Sequence, residues 1–129
     1  MTWEFLVPNL PVRDVQAAQR WYEDVLGLGV NWIWQDNFGS VGRDHVELFL
    51  YGSEAPHPTT CSIFVSDVEG VHERCKERGG EIVSELETKP WGVREFSLRD
   101  PDGHVLRIGR SESDVADTAQ FSVPERGAV

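Results

Sequence analysis

Aromatic rings and carboxylates, not nucleophiles, are the groups in this chain whose types and spacing could do chemistry. Five Trp occur among 129 residues, and Trp32, Trp34, Phe38 and Trp91 fall in strand-like or strand-edge segments outside the helical core stripes. Strand alternation puts Trp32 and Trp34 on one face and Asn31, Ile33 and Gln35 on the other. Trp91 lies in Lys89-Pro90-Trp91-Gly92, a turn-like stretch at the mouth of a strand, where a large flat ring is costly to expose without a partner. Rings at a cleft rim stack on planar groups and attract cations. Asp36, Glu87 and Glu95 would add charge complementarity there, whereas Trp21, on a helix, reads as core.

Other chemistries find no template. The chain has no G-x-S-x-G elbow, no P-loop and no evident Cys–His arrangement. Cys61 and Cys75 match no two-Cys metal or redox spacing and are expected to be buried and reduced. His45, His57, His72 and His104 show no helical His spacing and are expected at surface or turn positions, His57 in a loop and His72 on an exposed helix face. A net charge of −10, from 22 acidic and 12 basic residues, argues against a nucleic-acid partner, because backbone affinity needs Lys and Arg. An acidic surface suits solubility or a cationic ligand.

The elements that must position these residues come in two copies. Val12-Arg13-Asp14-Val15 recurs as Val65-Ser66-Asp67-Val68, and Gly27 and Val30 recur as Gly80 and Val83, all at an offset of 65 − 12 = 53. Two copies are too few for a solenoid, so the repeat predicts a pseudo-symmetric domain with a cleft between matched halves. Each half opens with an apolar strand running into an N-cap Asp and an amphipathic helix. Asp14 precedes Val15, Ala18, Tyr22, Val25 and Leu26, with Gly27 as the stop, a helix of about three and a half turns. Asp67 precedes Val68, Val71 and Cys75, with Gly79-Gly80 as the stop. Strands are expected over Val30 to Gln35, Phe38 to Val41 and His45 to Tyr51, then over Ile82 to Thr88, Val93 to Arg99 and His104 to Arg110.

Asp100-Pro101-Asp102-Gly103 is a strong turn that should join the last two strands. Pro8 and Pro11 each remove a ladder donor from the first strand, which must be irregular, at an edge, or paired across an interface. One domain is expected over residues 1–129, with modules at about 5–53 and 59–110, a link from Gly52 to Pro58, and a loosely held tail over 111–129 in which Phe121 and Val123 could dock. Trp3, Glu4 and Pro8 interrupt any leader-like run, and no window approaches the roughly 20 apolar residues of a membrane helix. The expectation is a soluble, cytoplasmic protein without a membrane partner.

Val12-Arg13-Asp14-Val15, then Trp21-Tyr22-Glu23-Asp24-Val25-Leu26-Gly27-Leu28, then Arg94-Glu95-Phe96-Ser97-Leu98-Arg99-Asp100-Pro101-Asp102-Gly103-His104 resemble the vicinal oxygen chelate superfamily over residues 5 to 110. That group includes glyoxalase I, extradiol dioxygenases, fosfomycin-resistance enzymes and bleomycin-resistance proteins. The resemblance implies an α+β fold of two pseudo-symmetric βαβββ modules whose curved mixed sheets form a concave cleft. Superfamily metalloenzymes place ligands in the first and last strands of each half. Those places fall at Val7, Thr60, Glu47 and near Arg107, and only Glu47 suits a metal, so neither a catalytic metal nor another cofactor is expected. Glu47 either faces the cleft as a counter-charge or pairs with Arg107 across the pseudo-twofold.

The run Lys89 to Pro101 and the loop Gln35-Asp36-Asn37-Phe38-Gly39 are similar to bleomycin-resistance proteins, which bind a cationic glycopeptide drug in clefts at a homodimer interface. That likeness implies that Phe38 and Trp91 sandwich a planar group and that Asp36 and other acids meet its cationic parts. Phe64 stands in a strand that is Trp-rich in those proteins and joins Trp32, Trp34, Glu47 and Glu95 as a candidate ligand-binding residue. The expected function is metal-independent sequestration of a bleomycin-type antibiotic by a C2 homodimer, without catalysis. The alternatives are an enzyme of the same superfamily or a binder of another planar cation.

Overall fold

The caps and stripes produce the two helices they forecast. In the computed structural model, which describes residues 1–112, the Asp14 side chain accepts a hydrogen bond from Ala17 N and starts α1 (Val15–Trp21). A wider π-helical turn, Tyr22–Leu26, extends it, and Gly27 closes it at φ 75. Asp67 caps α2 (Val68–Glu77) through Gly70 N. The widened turn is a departure from the uniform helix that the spacing predicts. It lies where the carbonyls of Glu23 and Asp24 accept hydrogen bonds from Arg74 of α2, and where Tyr22 is tied to Asp100.

The strands are β1 (Asn9–Val12), β2 (Gly29–Trp34), β3 (Phe38–Arg43), β4 (Val46–Gly52), β5 (Thr60–Phe64), β6 (Glu81–Thr88), β7 (Val93–Arg99) and β8 (Val105–Ser111). They form two four-stranded mixed sheets of matching order, β1-β4-β3-β2 and β5-β8-β7-β6. β1 runs parallel to β4 and β5 parallel to β8, and the other pairs are antiparallel. The chain is therefore α+β, two repeated βαβββ halves. The proline-bearing β1 is a short edge strand, one of the three placements its prolines allowed. Ser111, assigned above to the tail, is the last residue of β8, and the docking suggested for Phe121 and Val123 lies outside the described residues.

Each sheet buries one face under a helix. Leu10, Val12, Val41, Leu48 and Leu50 pack beneath Val15, Ala18, Tyr22 and Val25, while Phe96, Leu98, Leu106 and Ile108 pack with Val68 and Cys75 in the same continuous core. The Asp100–Gly103 turn does join β7 and β8, with Gly103 at φ 91 and its N–H bonded to Asp100 O. It also docks the second half on the first. Tyr22 OH donates to Asp100 Oδ2 at 2.6 Å, Arg13 N donates to Asp102 Oδ1 at 2.9 Å, and His104 Nε2 lies 2.6 Å from Pro11 O. Thr59 N donates to His104 Nδ1, so the proton on Nε2 serves Pro11 and both ring nitrogens are satisfied.

His104 is thus fully buried and structural, not a surface or turn residue as its setting in the sequence suggested. His72 also departs from the exposed position expected of it: its ring packs edge-on against Phe96 and bonds Glu85. Both cysteines are free. Cys75 is buried, which pushes its thiol up to about 11, and Cys61 is half-buried. No helix among the described residues is long and apolar enough to cross a membrane.

Candidate functional site

The sheet faces turned away from the helices carry the aromatic and acidic candidates. On the first sheet, pairing of Trp32 with Ser40 and of Trp34 with Phe38 confirms that both tryptophans share a face. The rings of Trp32, Phe38 and Phe49 form a cluster, with centroids 5.2 Å apart for Trp32–Phe38, 5.5 Å for Trp32–Phe49 and 5.3 Å for Phe38–Phe49. Trp34 is 61% exposed and Trp32 40%. These edge and tilted contacts fix the rings while leaving apolar area open to a flat partner.

Buried polar groups hold that platform. β2 carries a bulge between Val30 and Trp32, and buried Gln19 reaches from α1 to donate to Trp32 O at 2.8 Å and Ser40 O at 3.3 Å. Gly39 admits it, since a Cβ there would lie 2.5 Å from Gln19 Nε2. Beside the rings, Asn31 Nδ2 donates to Ser40 Oγ, which donates to Glu47 Oε2 at 2.6 Å. Glu47 is on the same side of the sheet as Phe49 and Tyr51, two residues apart in β4.

The second sheet presents a different surface. Pro90-Trp91-Gly92 is a three-residue hairpin loop between β6 and β7, closed by Lys89 N to Val93 O, with Gly92 at φ 89. Its Trp91 is 46% exposed and donates from Nε1 to Glu95 Oε1 at 3.1 Å. Lys89 Nζ stands 6.0 Å from the Trp91 ring centroid and pairs with Glu87. Glu95 is only 5% exposed, and both its oxygens are engaged, since Arg107 Nε donates to Oε2 at 3.0 Å and Nη2 to Oε1 at 3.2 Å. Burial opposes ionisation of Glu95, but the bonds from Arg107 and Trp91 and the charges of Arg107 and Lys89 outweigh it and hold the carboxyl below its ordinary range.

The candidates therefore fall into two sets. Trp32, Trp34, Phe38 and Glu47 lie on the first sheet, and Phe64, Trp91 and Glu95 on or beside the second. Among the described residues no hydrogen bond, ion pair or ring contact joins them. Asp36 belongs to neither set, because it sits in the β2–β3 turn at φ 56 and accepts from Gln16 of α1 at 2.9 Å. The suggested Glu47–Arg107 pair does not form. Arg107 stands opposite Ser62 and, 62 − 9 = 53 residues earlier, Asn9 stands opposite Phe49, so Phe49 and not Glu47 is the pseudo-symmetric counterpart of Arg107.

Sequence reasoning missed Phe49 as well as Gln19. The alternation Glu47, Phe49, Tyr51 carried the signal for the first; nothing local announced the second. The family's metal positions do not fit a divalent ion here: Val7 lacks a donor, Arg107 is a cation, and among the described residues no three His, Cys, Asp or Glu side chains converge.

The chain has relatives among known proteins. A bleomycin resistance protein of Klebsiella pneumoniae is 28% identical over 117 residues, covering 81% of this chain and 90% of that protein. A bleomycin-binding protein solved in complex with bleomycin superposes with a TM-score of 0.74 at 26% identity, covering 85% of this chain and all (100%) of that one. TioX from Micromonospora sp. ML1 superposes with a TM-score of 0.76 at 23% identity, over 84% of this chain and 99% of its own, a likeness of fold. With residues 5–108 matching the family model, the chain belongs to the Glyoxalase/Bleomycin resistance protein/Dioxygenase superfamily.

Proposed function

We propose that this protein binds a bleomycin-type antibiotic by stacking and sequesters it without a metal and without chemistry. The observation that carries the reading is the Trp32–Phe38–Phe49 cluster on an uncovered sheet face, with Trp34 and Tyr51 exposed beside it. The likeness to a bleomycin resistance protein and to a bleomycin-binding protein supports the choice of ligand class. Trp32, Trp34 and Phe38 are the stacking residues of one half-site, and Phe64 and Trp91 those of the other, with Glu47 as a polar contact. Asp36 and Glu95 contribute through the side chains they hold in place.

Among the described residues no hydrogen bond or ring contact joins the two half-sites, and a second copy would supply the facing wall that each uncovered sheet face lacks. The reading is thus a cytoplasmic C2 homodimer in which the first sheet of one protomer faces the second sheet of its partner. Tryptophan-fluorescence and calorimetric titration with metal-free and copper-loaded bleomycin tests it. Saturation at one drug per chain, lost in Trp32→Ala and in Trp91→Ala, is the expected result. No binding at about 50 µM drug, a concentration far above typical specific affinities, would overturn the ligand, and a monomer in sedimentation at micromolar concentration would overturn the shared cleft.

A further inference from the structure

The uncovered face of the second sheet offers a group that stacking does not use. Strand pairing places Ser62, Arg107, Ser97 and Ser84 in one row across β5, β8, β7 and β6. Residues directly opposite on regularly paired strands share a face, so the Ser62, Arg107 and Ser97 side chains project together, away from α2 and beside the row Phe64, Gly109 and Glu95, while Ser84 lies between two bulges of β6. Arginine has five N–H donors. Glu95 takes one from Nε and one from Nη2, while Nη1 and the second Nη2 hydrogen make no hydrogen bond among the described residues. The Arg107 side chain is 42% exposed, so those donors are within reach of a ligand.

Charge on this face is already committed elsewhere. Glu95 is buried against Arg107 and Trp91, and Glu87 pairs with Lys89. Asp36, the other acid suggested for a cationic ligand, is turned toward α1. What the face still offers is a guanidinium whose plane is fixed by a buried carboxylate, flanked by hydroxyls that have no partner among the described residues. A planar, immobilised fork of donors matches a carboxylate or phosphate and loses little entropy on binding it.

We propose that the Ser62–Arg107–Ser97 row is an oxyanion subsite, which takes a carboxylate or phosphate borne by a planar ligand. Arg107 supplies the charge, Ser62 and Ser97 supply flanking donors, and Glu95 is the positioning residue that orients the guanidinium. The subsite rests on the reading of the sheet faces as a stacking cleft, not on bleomycin as the occupant, and it adds planar anions to the ligands that this half of the cleft accepts.

Calorimetry with four probes of one ring system tests it: 2-naphthoate, 2-naphthyl phosphate, neutral 2-naphthamide and 2-naphthylmethylammonium. Wild type is expected to bind both anions about tenfold more tightly than the amide, the return on one charge-assisted pair, with the ammonium weakest. The tighter anion identifies the group. Arg107→Gln alone strands a buried carboxylate, so Arg107→Gln/Glu95→Gln is the informative variant. It should erase the anion advantage over the amide, a ratio taken within the same variant so that any shift of Trp91 cancels, and Ser62→Ala/Ser97→Ala should cost the anions about threefold.

An ammonium or amide that binds as well as the carboxylate overturns the subsite, as does an anion advantage that survives loss of Arg107 or a failure of every probe to bind at about 1 mM. Bleomycin binding with no charge preference would remove only the subsite. An ordered charge series without bleomycin binding would remove only the choice of drug.

Discussion

Replacing Tyr22 by Phe deletes one oxygen at the joint between the two halves. Tyr22 and Asp100 are both buried, and the hydroxyl donates to Asp100 Oδ2 at 2.6 Å. A hydrogen bond to a charged acceptor contributes about 1.5–3 kcal/mol. Asp100 keeps two bonds through Oδ1, from Asp102 N and His104 N, so the carboxylate is not stranded and the lower half of that range applies. Tyr22→Phe should therefore cost about 2 kcal/mol, or about 6–10 °C in Tm for a chain of this size. Urea unfolding should show a lower midpoint with an unchanged slope.

The pH dependence gives a second readout of the same bond. Burial, then the charge and hydrogen bond of Asp100, raise the Tyr22 phenol well above its ordinary value. The folded state thus resists ionisation that the unfolded chain undergoes near pH 10, so the stabilisation is complete below about pH 10 and is lost as pH rises further. The gap between wild type and Tyr22→Phe should narrow above that pH. A cost under about 0.5 kcal/mol, or a gap that stays constant into the alkaline range, would refute the assignment of this bond as the joint.

Gln19→Met keeps the volume but leaves the carbonyls of Trp32 and Ser40 without their buried donor; a loss of about 1–3 kcal/mol and a changed Trp32 fluorescence spectrum are expected on urea titration. Trp32→Ala removes the ring shared by two contacts of the aromatic cluster, so bleomycin affinity should fall about tenfold or more while near-ultraviolet dichroism still reports a folded second half. Hydrogen bonds from Arg110 and Arg94 hold Glu69 at about 2, and Glu95 is also held low. Both carboxyls stabilise the fold above the ordinary value of about 4.3, and that contribution drains away as pH falls through their lowered values. Glu69→Gln and Glu95→Gln should each flatten the acid limb of a stability–pH profile, and an unchanged limb would contradict the pairing.

The architecture was written locally. N-cap Asp14 and Asp67, the stops at Gly27 and Gly79-Gly80, and the Asp100–Gly103 turn act on residues a few positions away, so the repeat could be read directly and the βαβββ order followed. Strand alternation likewise placed Trp32 with Trp34, and would have added Phe49. The sequence placed side chains on faces; it did not choose their partners. Glu95 with Arg107, Asp36 with Gln16, His104 with Pro11 and Gln19 under the Trp32 bulge are separated by 12 to 93 residues. Those pairings arise only when strand register and helix packing bring the groups within reach, and for the buried ones, Glu95, His104 and Gln19, each must then find a donor or acceptor or bear the cost of desolvation, whereas the Asp36–Gln16 bond lies at the surface. Residue types and period fixed the two halves and the rings, and long-range polar satisfaction decided which charges remain for a ligand.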